Sequence, residues 1–131
     1  MKLLLDTHVW LWCLLEPQKI GRRAKRALDR DADQTWLSPI STWEVITLAE
    51  KGRIDIGDDP WSWVARALKA VPLREAVLTH EIARESRRFS LSHEDPADRF
   101  LVASCRVLDL VLVTADARLL EAGACQLLPC V

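Results

Sequence analysis

The sequence predicts an α/β fold built on a short, mainly parallel central sheet. Short apolar runs alternate with amphipathic helical segments along the 131 residues, an order that produces parallel strands joined by right-handed crossovers. Residues 110–114, Leu-Val-Leu-Val-Thr, form a continuous apolar run, the mark of a strand covered on both faces. Only four glycines occur, with no Gly/Ser-rich stretch, so connections are short and residues 1–131 form one domain.

Each element follows from local pattern. Residues 2–5 read as a buried strand that stops at Asp6. Residues 9–15 are apolar and helical, ended by Glu16-Pro17, because proline disfavours helical backbone at the residue before it. A basic helix is expected over 18–30, with Ile20, Ala24, Ala27 and Leu28 as its core stripe. Its other face carries Arg22, Arg23, Lys25, Arg26 and Arg30. Residues 35–37 form a second strand. Ser41 then opens a helix running to Lys51, stopped by Gly52. Asp59 caps and Pro60 starts a helix through Ala70. Residues 71–73 are extended and 75–88 helical, with Val77, Ile82 and Phe89 towards the core. Asp95-Pro96 starts a helix through Leu108. A short helix over 117–122 and a strand over 126–128 follow the buried strand.

Composition narrows the function. Half the residues are hydrophobic, which excludes a disordered chain. The formal net charge is −1, which by itself disfavours a simple basic nucleic-acid binder. The four cysteines, Cys13, Cys105, Cys125 and Cys130, form no Cys-x-x-Cys pair and read as buried structural thiols. Residues 9–15 are too short to cross a bilayer, and the start lacks a signal-peptide cleavage pattern. The expectation is a soluble cytoplasmic protein without a membrane segment.

Four acids stand out by position. Asp6 directly follows the first strand, and Asp116 follows the strand ending at Thr114. Glu44 and Asp98 lie at the starts of helices that follow extended segments. In a parallel sheet, strand C-termini and the next helix N-termini share the edge where ligands bind. Each acid also has a bland reading: Ser41-Thr-Trp-Glu44 matches a capping box, Asp98 suits a helix start, and Asp116 suits a cap. Capping alone does not require four such sites to converge on one edge. Gathered carboxylates repel one another, and a hard divalent cation relieves that repulsion. Such a site suits phosphodiester hydrolysis.

At these residues the sequence resembles the PIN-domain ribonucleases of the VapC toxin type. The stretches are Leu-Leu-Leu-Asp6-Thr-His-Val-Trp-Leu-Trp, Leu-Ser-Pro-Ile-Ser-Thr-Trp-Glu44, His-Glu-Asp-Pro-Ala-Asp98-Arg and Val-Leu-Val-Thr-Ala-Asp116. They fall in family order over nearly the whole chain. The resemblance implies a PIN-like α/β/α sandwich, Mg²⁺- or Mn²⁺-dependent cleavage of RNA, a cognate VapB-type antitoxin and a homodimer. Carried over by position, Asp6, Glu44, Asp98 and Asp116 are the acidic quartet. Asp6 and Asp98 lead as metal ligands, with Asp116 next. Glu44 binds metal directly or through water, or orients the attacking water.

Around the quartet, Thr7 and Thr114 are candidates to orient carboxylates. Asp95 is read as an N-cap before it is read as a ligand. Arg99 is read as a salt-bridge residue, with contact to RNA phosphate as the alternative. His8 and His93 are read as structural, with a general acid as the alternative for His93. Trp43 is assigned to the core. Trp61 and Trp63, like Trp10 and Trp12, are two apart on one helix and cannot share a face, so one of each pair is expected near a surface. The 61–70 region is accordingly a candidate dimer or antitoxin contact. Two other classes compete. A phosphoaspartate phosphatase or receiver domain needs acids or a lysine that this chain lacks at the relevant positions. A non-catalytic PIN-fold module that binds RNA or protein is the principal alternative.

Overall fold

A computed structural model describes all 131 residues. Five strands form one wholly parallel sheet: β1 (Leu3–Leu5), β2 (Thr35–Leu37), β3 (Arg74–Glu75), β4 (Val111–Thr114) and β5 (Leu127–Pro129), in the order β3-β2-β1-β4-β5. Seven α-helices connect them: α1 (Thr7–Leu15), α2 (Arg22–Arg30), α3 (Pro39–Glu50), α4 (Pro60–Ala70), α5 (His80–Glu85), α6 (Pro96–Leu108) and α7 (Ala117–Ala122). No helix is long and apolar enough to cross a membrane.

Alternation along the strands divides the core between the two sheet faces. Leu3, Leu5 and Val113 pack with Val9 and Trp10 of α1, Ala24 and Ala27 of α2, and Val64 of α4. Leu4 and Leu112 pack on the opposite face with Leu101, Val102 and Cys105 of α6 and Leu119 of α7. The result is the expected three-layer sandwich. All four cysteines are free thiols, and Cys105 and Cys130 are fully buried.

Four expectations are corrected by tertiary contacts. The 18–30 helix is broken: residues 17–19 form a 3₁₀ turn and Ile20 is extended, so α2 begins at Arg22. The break lets Gly21 press against the C-terminal residue, where an added Cβ would fall 2.1 Å from the Val131 carbonyl oxygen. The 75–88 helix shortens to α5. Residues 74–75 instead pair with β2, and the Ala76 N–H continues that pairing to the Leu37 carbonyl at 2.9 Å. Ile82 is buried as expected, whereas Val77 is 53% exposed.

The other two corrections concern α3. Ser38, not Ser41, caps the helix, accepting the Ile40 N–H at 3.1 Å. Glu44 therefore lies in the second turn and takes no part in a capping box. Trp43 is 53% exposed rather than in the core. Ser41 and Val45, four residues apart, form the buried stripe of α3, and a residue midway between them points away from it.

Candidate active site

Because all five strands run the same way, β1 and β4 deliver their C-terminal ends to one edge. Asp6 leaves β1 there as the N-cap of α1, and its N–H bonds the Val113 carbonyl at 3.0 Å. Asp116 follows β4 and caps α7, accepting the Arg118 N–H at 2.8 Å. Asp95 caps α6 through the N–H groups of Ala97 and Asp98, at 2.9 and 3.3 Å. Asp98 and Glu44 enter from α6 and α3. The acids 6, 44, 95, 98 and 116 line one cleft of about 270 Å³, together with His8, Trp12 and Arg118. The quartet foreseen in the sequence thus shares one cavity, and Asp95 joins it while serving as a cap.

The surroundings hold these carboxylates unequally. Asp6 is only 6% exposed and accepts the Thr114 hydroxyl at 2.6 Å. Burial pushes its pKa up; the Thr114 bond opposes the rise, and the Asp116 charge adds to it. Asp98 is pushed up to about 7, chiefly by burial, against the His93 bond and with help from the charges of Asp95, Asp6 and Asp116. Its Oδ2 lies 2.6 Å from His93 Nε2. Glu44 is also raised by burial, with Thr7 opposing and Asp95 and Asp6 reinforcing. Asp116 alone is lowered: its partial burial is outweighed by the Arg118 side chain, whose guanidinium lies 3.1 Å from its carboxylate.

Threonine and arginine positions sort out clearly. The Thr114 hydroxyl orients Asp6 directly. The Thr7 hydroxyl donates to Ser41 Oγ at 2.8 Å, tying α1 to α3 beside Glu44. Arg99 points into the protein. It is 8% exposed and donates to the carbonyls of Ser86 and Phe89, at 2.9 and 3.1 Å, and to Glu94. Those bonds hold the guanidinium inside the protein, where it secures the loop before α6 as the salt-bridge reading expects. One cleft residue escaped sequence reasoning. Arg118 follows Asp116 by two positions, and that spacing at a helix start was the available signal. His93, outside the cleft lining, bonds Asp98 across the turn preceding α6 and so fixes that carboxylate.

As they stand, no three acidic, histidine or cysteine side chains are grouped tightly enough to enclose a metal ion. Asp6, Asp98 and Asp116 are each turned onto a protein partner. The donor set nevertheless fits a hard divalent cation by type and charge. It is all carboxylate oxygen, and the acids at 6, 44 and 98 are raised chiefly by burial and in part by nearby cleft carboxylates.

The model of the PIN domain matches residues 3–124. The chain belongs to the PIN-domain family. Within it, this PIN domain is of the VapC type, being 34% identical over 117 residues to Ribonuclease VapC22 of Mycobacterium tuberculosis, 88% of each chain. Its fold is similar to that of the DNA-bound VapBC structure from Salmonella typhimurium, with TM-score 0.72, 16% identity and 98% of each chain covered. It is also similar to the promoter-bound VapBC2 structure from Rickettsia felis, with TM-score 0.69, 11% identity and 100% of each chain covered.

Proposed function

We propose that this PIN domain is a divalent-metal-dependent endoribonuclease and the toxin of a type II toxin–antitoxin pair. The observation that carries the reading is the convergence of Asp6, Glu44, Asp98 and Asp116 on one cleft at the strand C-termini. Asp6, Asp98 and Asp116 are the residues that would hold Mg²⁺ or Mn²⁺, with Glu44 binding it directly or through water. When bound, the ion supplies Lewis-acid polarisation of phosphoryl oxygens and a lowered pKa for water.

The chain's own groups do the positioning. Thr114 fixes the Asp6 carboxylate, and β4 fixes Thr114. Asp95 holds the start of α6 and so places Asp98. Glu44, half-buried on α3, is placed to orient a water for in-line attack on phosphorus. Arg118 borders the cleft and carries the positive charge that balances the developing charge on the phosphate. Hydrolysis breaks the bond from phosphorus to the 3′ oxygen, leaving a 5′-phosphate and a 3′-hydroxyl.

A VapB-type antitoxin and a homodimer are the proposed assemblies, in the cytoplasm. Support comes from the apolar surface at α4 and beyond, where Trp61, Leu68 and Val71 are exposed. Trp61 and Leu68 fall in the region that the tryptophan spacing singles out.

The test is cleavage of a panel of structured RNAs by the chain freed of antitoxin, with Mg²⁺ or Mn²⁺ against EDTA. Metal-dependent cutting that Asp6→Asn and Asp98→Asn abolish supports the reading. Ends bearing 2′,3′-cyclic phosphate would show the ribose hydroxyl to be the nucleophile instead. No cutting with either metal would leave a non-catalytic PIN-fold module that binds RNA or protein.

A further inference from the structure

The cleft that cuts is a poor place for a polyanion to gain affinity. Five carboxylates line it, against Arg118 as its one arginine and no lysine. A single divalent ion offsets only two of those charges. Affinity for a long RNA must therefore come from cations elsewhere, and these concentrate on α2. Arg22, Arg23 and Arg26 are exposed and enter no ion pair. Their neighbours are neutralised: Lys25 lies 3.4 Å from Asp29, and Arg30 2.9 Å from Asp31. Arg23, Arg26 and Arg30 border a second cavity, of about 460 Å³, against Ala27 and Leu128.

The direction of α2 connects this row to the cleft edge. Gly21, its N-cap, packs on Val131. The preceding residue, Cys130, donates its N–H to the Thr114 carbonyl at 2.8 Å, level with the end of β4 where Asp116 departs. At the other end, Asp31 holds the N-terminal ammonium at 3.0 Å, below the start of β1. The nine residues of α2 thus descend from the cleft edge to the opposite edge of the sheet, about 13 Å at ~1.5 Å per residue.

We propose that the exposed arginines of α2 form a second, RNA-phosphate-binding site, which takes the backbone of the strand whose scissile phosphate lies in the cleft. Guanidinium groups suit this role because their fork matches phosphate oxygens. The site reads backbone rather than bases, so it adds affinity and register without sequence preference. A single strand leaving the cleft fits a row that starts at the cleft edge. This inference rests on the ribonuclease reading for its substrate, but its test does not depend on cleavage.

Binding of a labelled 20-nucleotide single-stranded RNA is measured by fluorescence anisotropy in EDTA across a salt series. Each phosphate contact on a single strand contributes a slope of about −0.7 in log K against log salt. Arg23→Ala/Arg26→Ala should flatten the slope by about 1.4 and weaken binding roughly tenfold at low salt. Lys51→Ala/Arg53→Ala, removing two exposed cations beyond the far end of α3, should leave both near wild type. With Mg²⁺, the α2 variant should raise KM for the 20-mer while cutting a dinucleotide, whose only internucleotide phosphate lies in the cleft, at the wild-type rate. A wild-type salt slope in the α2 variant overturns the proposal, as does an equal loss in the control. An equal loss on duplex DNA of the same length overturns the assignment to RNA. If the chain binds RNA with the expected slopes but cuts nothing, the ribonuclease reading falls and the α2 site stands.

Discussion

The acidic cleft and the arginine face of α2 solve opposite electrostatic problems on one nearly neutral chain. In the cleft, burial first and neighbouring carboxylates second drive Asp6, Glu44 and Asp98 towards their neutral forms. On α2, like charges lie exposed in water, where screening makes the repulsion cheap. The cleft carboxylates therefore carry charge at a cost, whereas the exposed arginines of α2 stay hydrated and charged. A net charge of −1 conceals both. It is the local field that decides what each region binds.

The sharpest way to break this comparison is to remove cleft charge without touching α2. Asp98→Asn should lower the cleavage rate by at least about a hundredfold, the scale seen when a key electrostatic stabiliser is lost. RNA binding in EDTA should be retained or strengthened. A variant that cuts normally would remove Asp98 from the site.

Arg99→Ala separates a buried arginine from an exposed one. It should destabilise the fold by about 2–4 kcal/mol, because carbonyls of Ser86 and Phe89 lose their donor. The salt slope for RNA should not change. Thermal denaturation and the anisotropy series read the two effects independently.

Thr114→Val keeps shape and removes the hydroxyl that fixes Asp6. A loss of roughly tenfold in activity or metal affinity is expected, the range for a partner that orients a ligand. The loss should appear as a weaker response to Mg²⁺ titration.

The smallest effect is the pH dependence of the metal-free fold. Asp98 is raised from an ordinary value of 3.8 to about 7, so the folded chain binds more protons than the unfolded one between those values. Its contribution to stability is full below about pH 4 and is lost as pH rises through about 7. In EDTA the wild-type melting temperature should fall across this window relative to Asp98→Asn. The divergence should grow as pH rises from about 4 to about 7, and Mg²⁺ should shrink it. Parallel profiles would show that Asp98 is not held in a strained state.

Much of this was legible in residue order. The strand at 35–37, the Asp59-Pro60 helix start, the Asp95-Pro96 helix start and the helix at 117–122 all agree with the structure, because each depends on groups within a few residues. The errors arose where a distant contact won. Gly21 breaks the basic helix to meet Val131, 110 positions away in the chain. Residues 74–75 leave the expected helix because β2 offers a free edge. Trp43 turns outward because Ser41 and Val45 set the buried face of α3.

The sequence by itself determined the α/β class, the positions of the four acids at strand and helix ends, and the family stretches that contain them. Strand termini and caps are local signals, and a parallel sheet converts them into one shared edge. Only the tertiary structure decided what each side chain does at that edge. It set Thr114 against Asp6 across 108 positions, joined Thr7 to Ser41 beside Glu44, and buried Arg99 away from solvent. Those outcomes depend on burial and on partners in space, and neither quantity is carried by the order of residues along the chain.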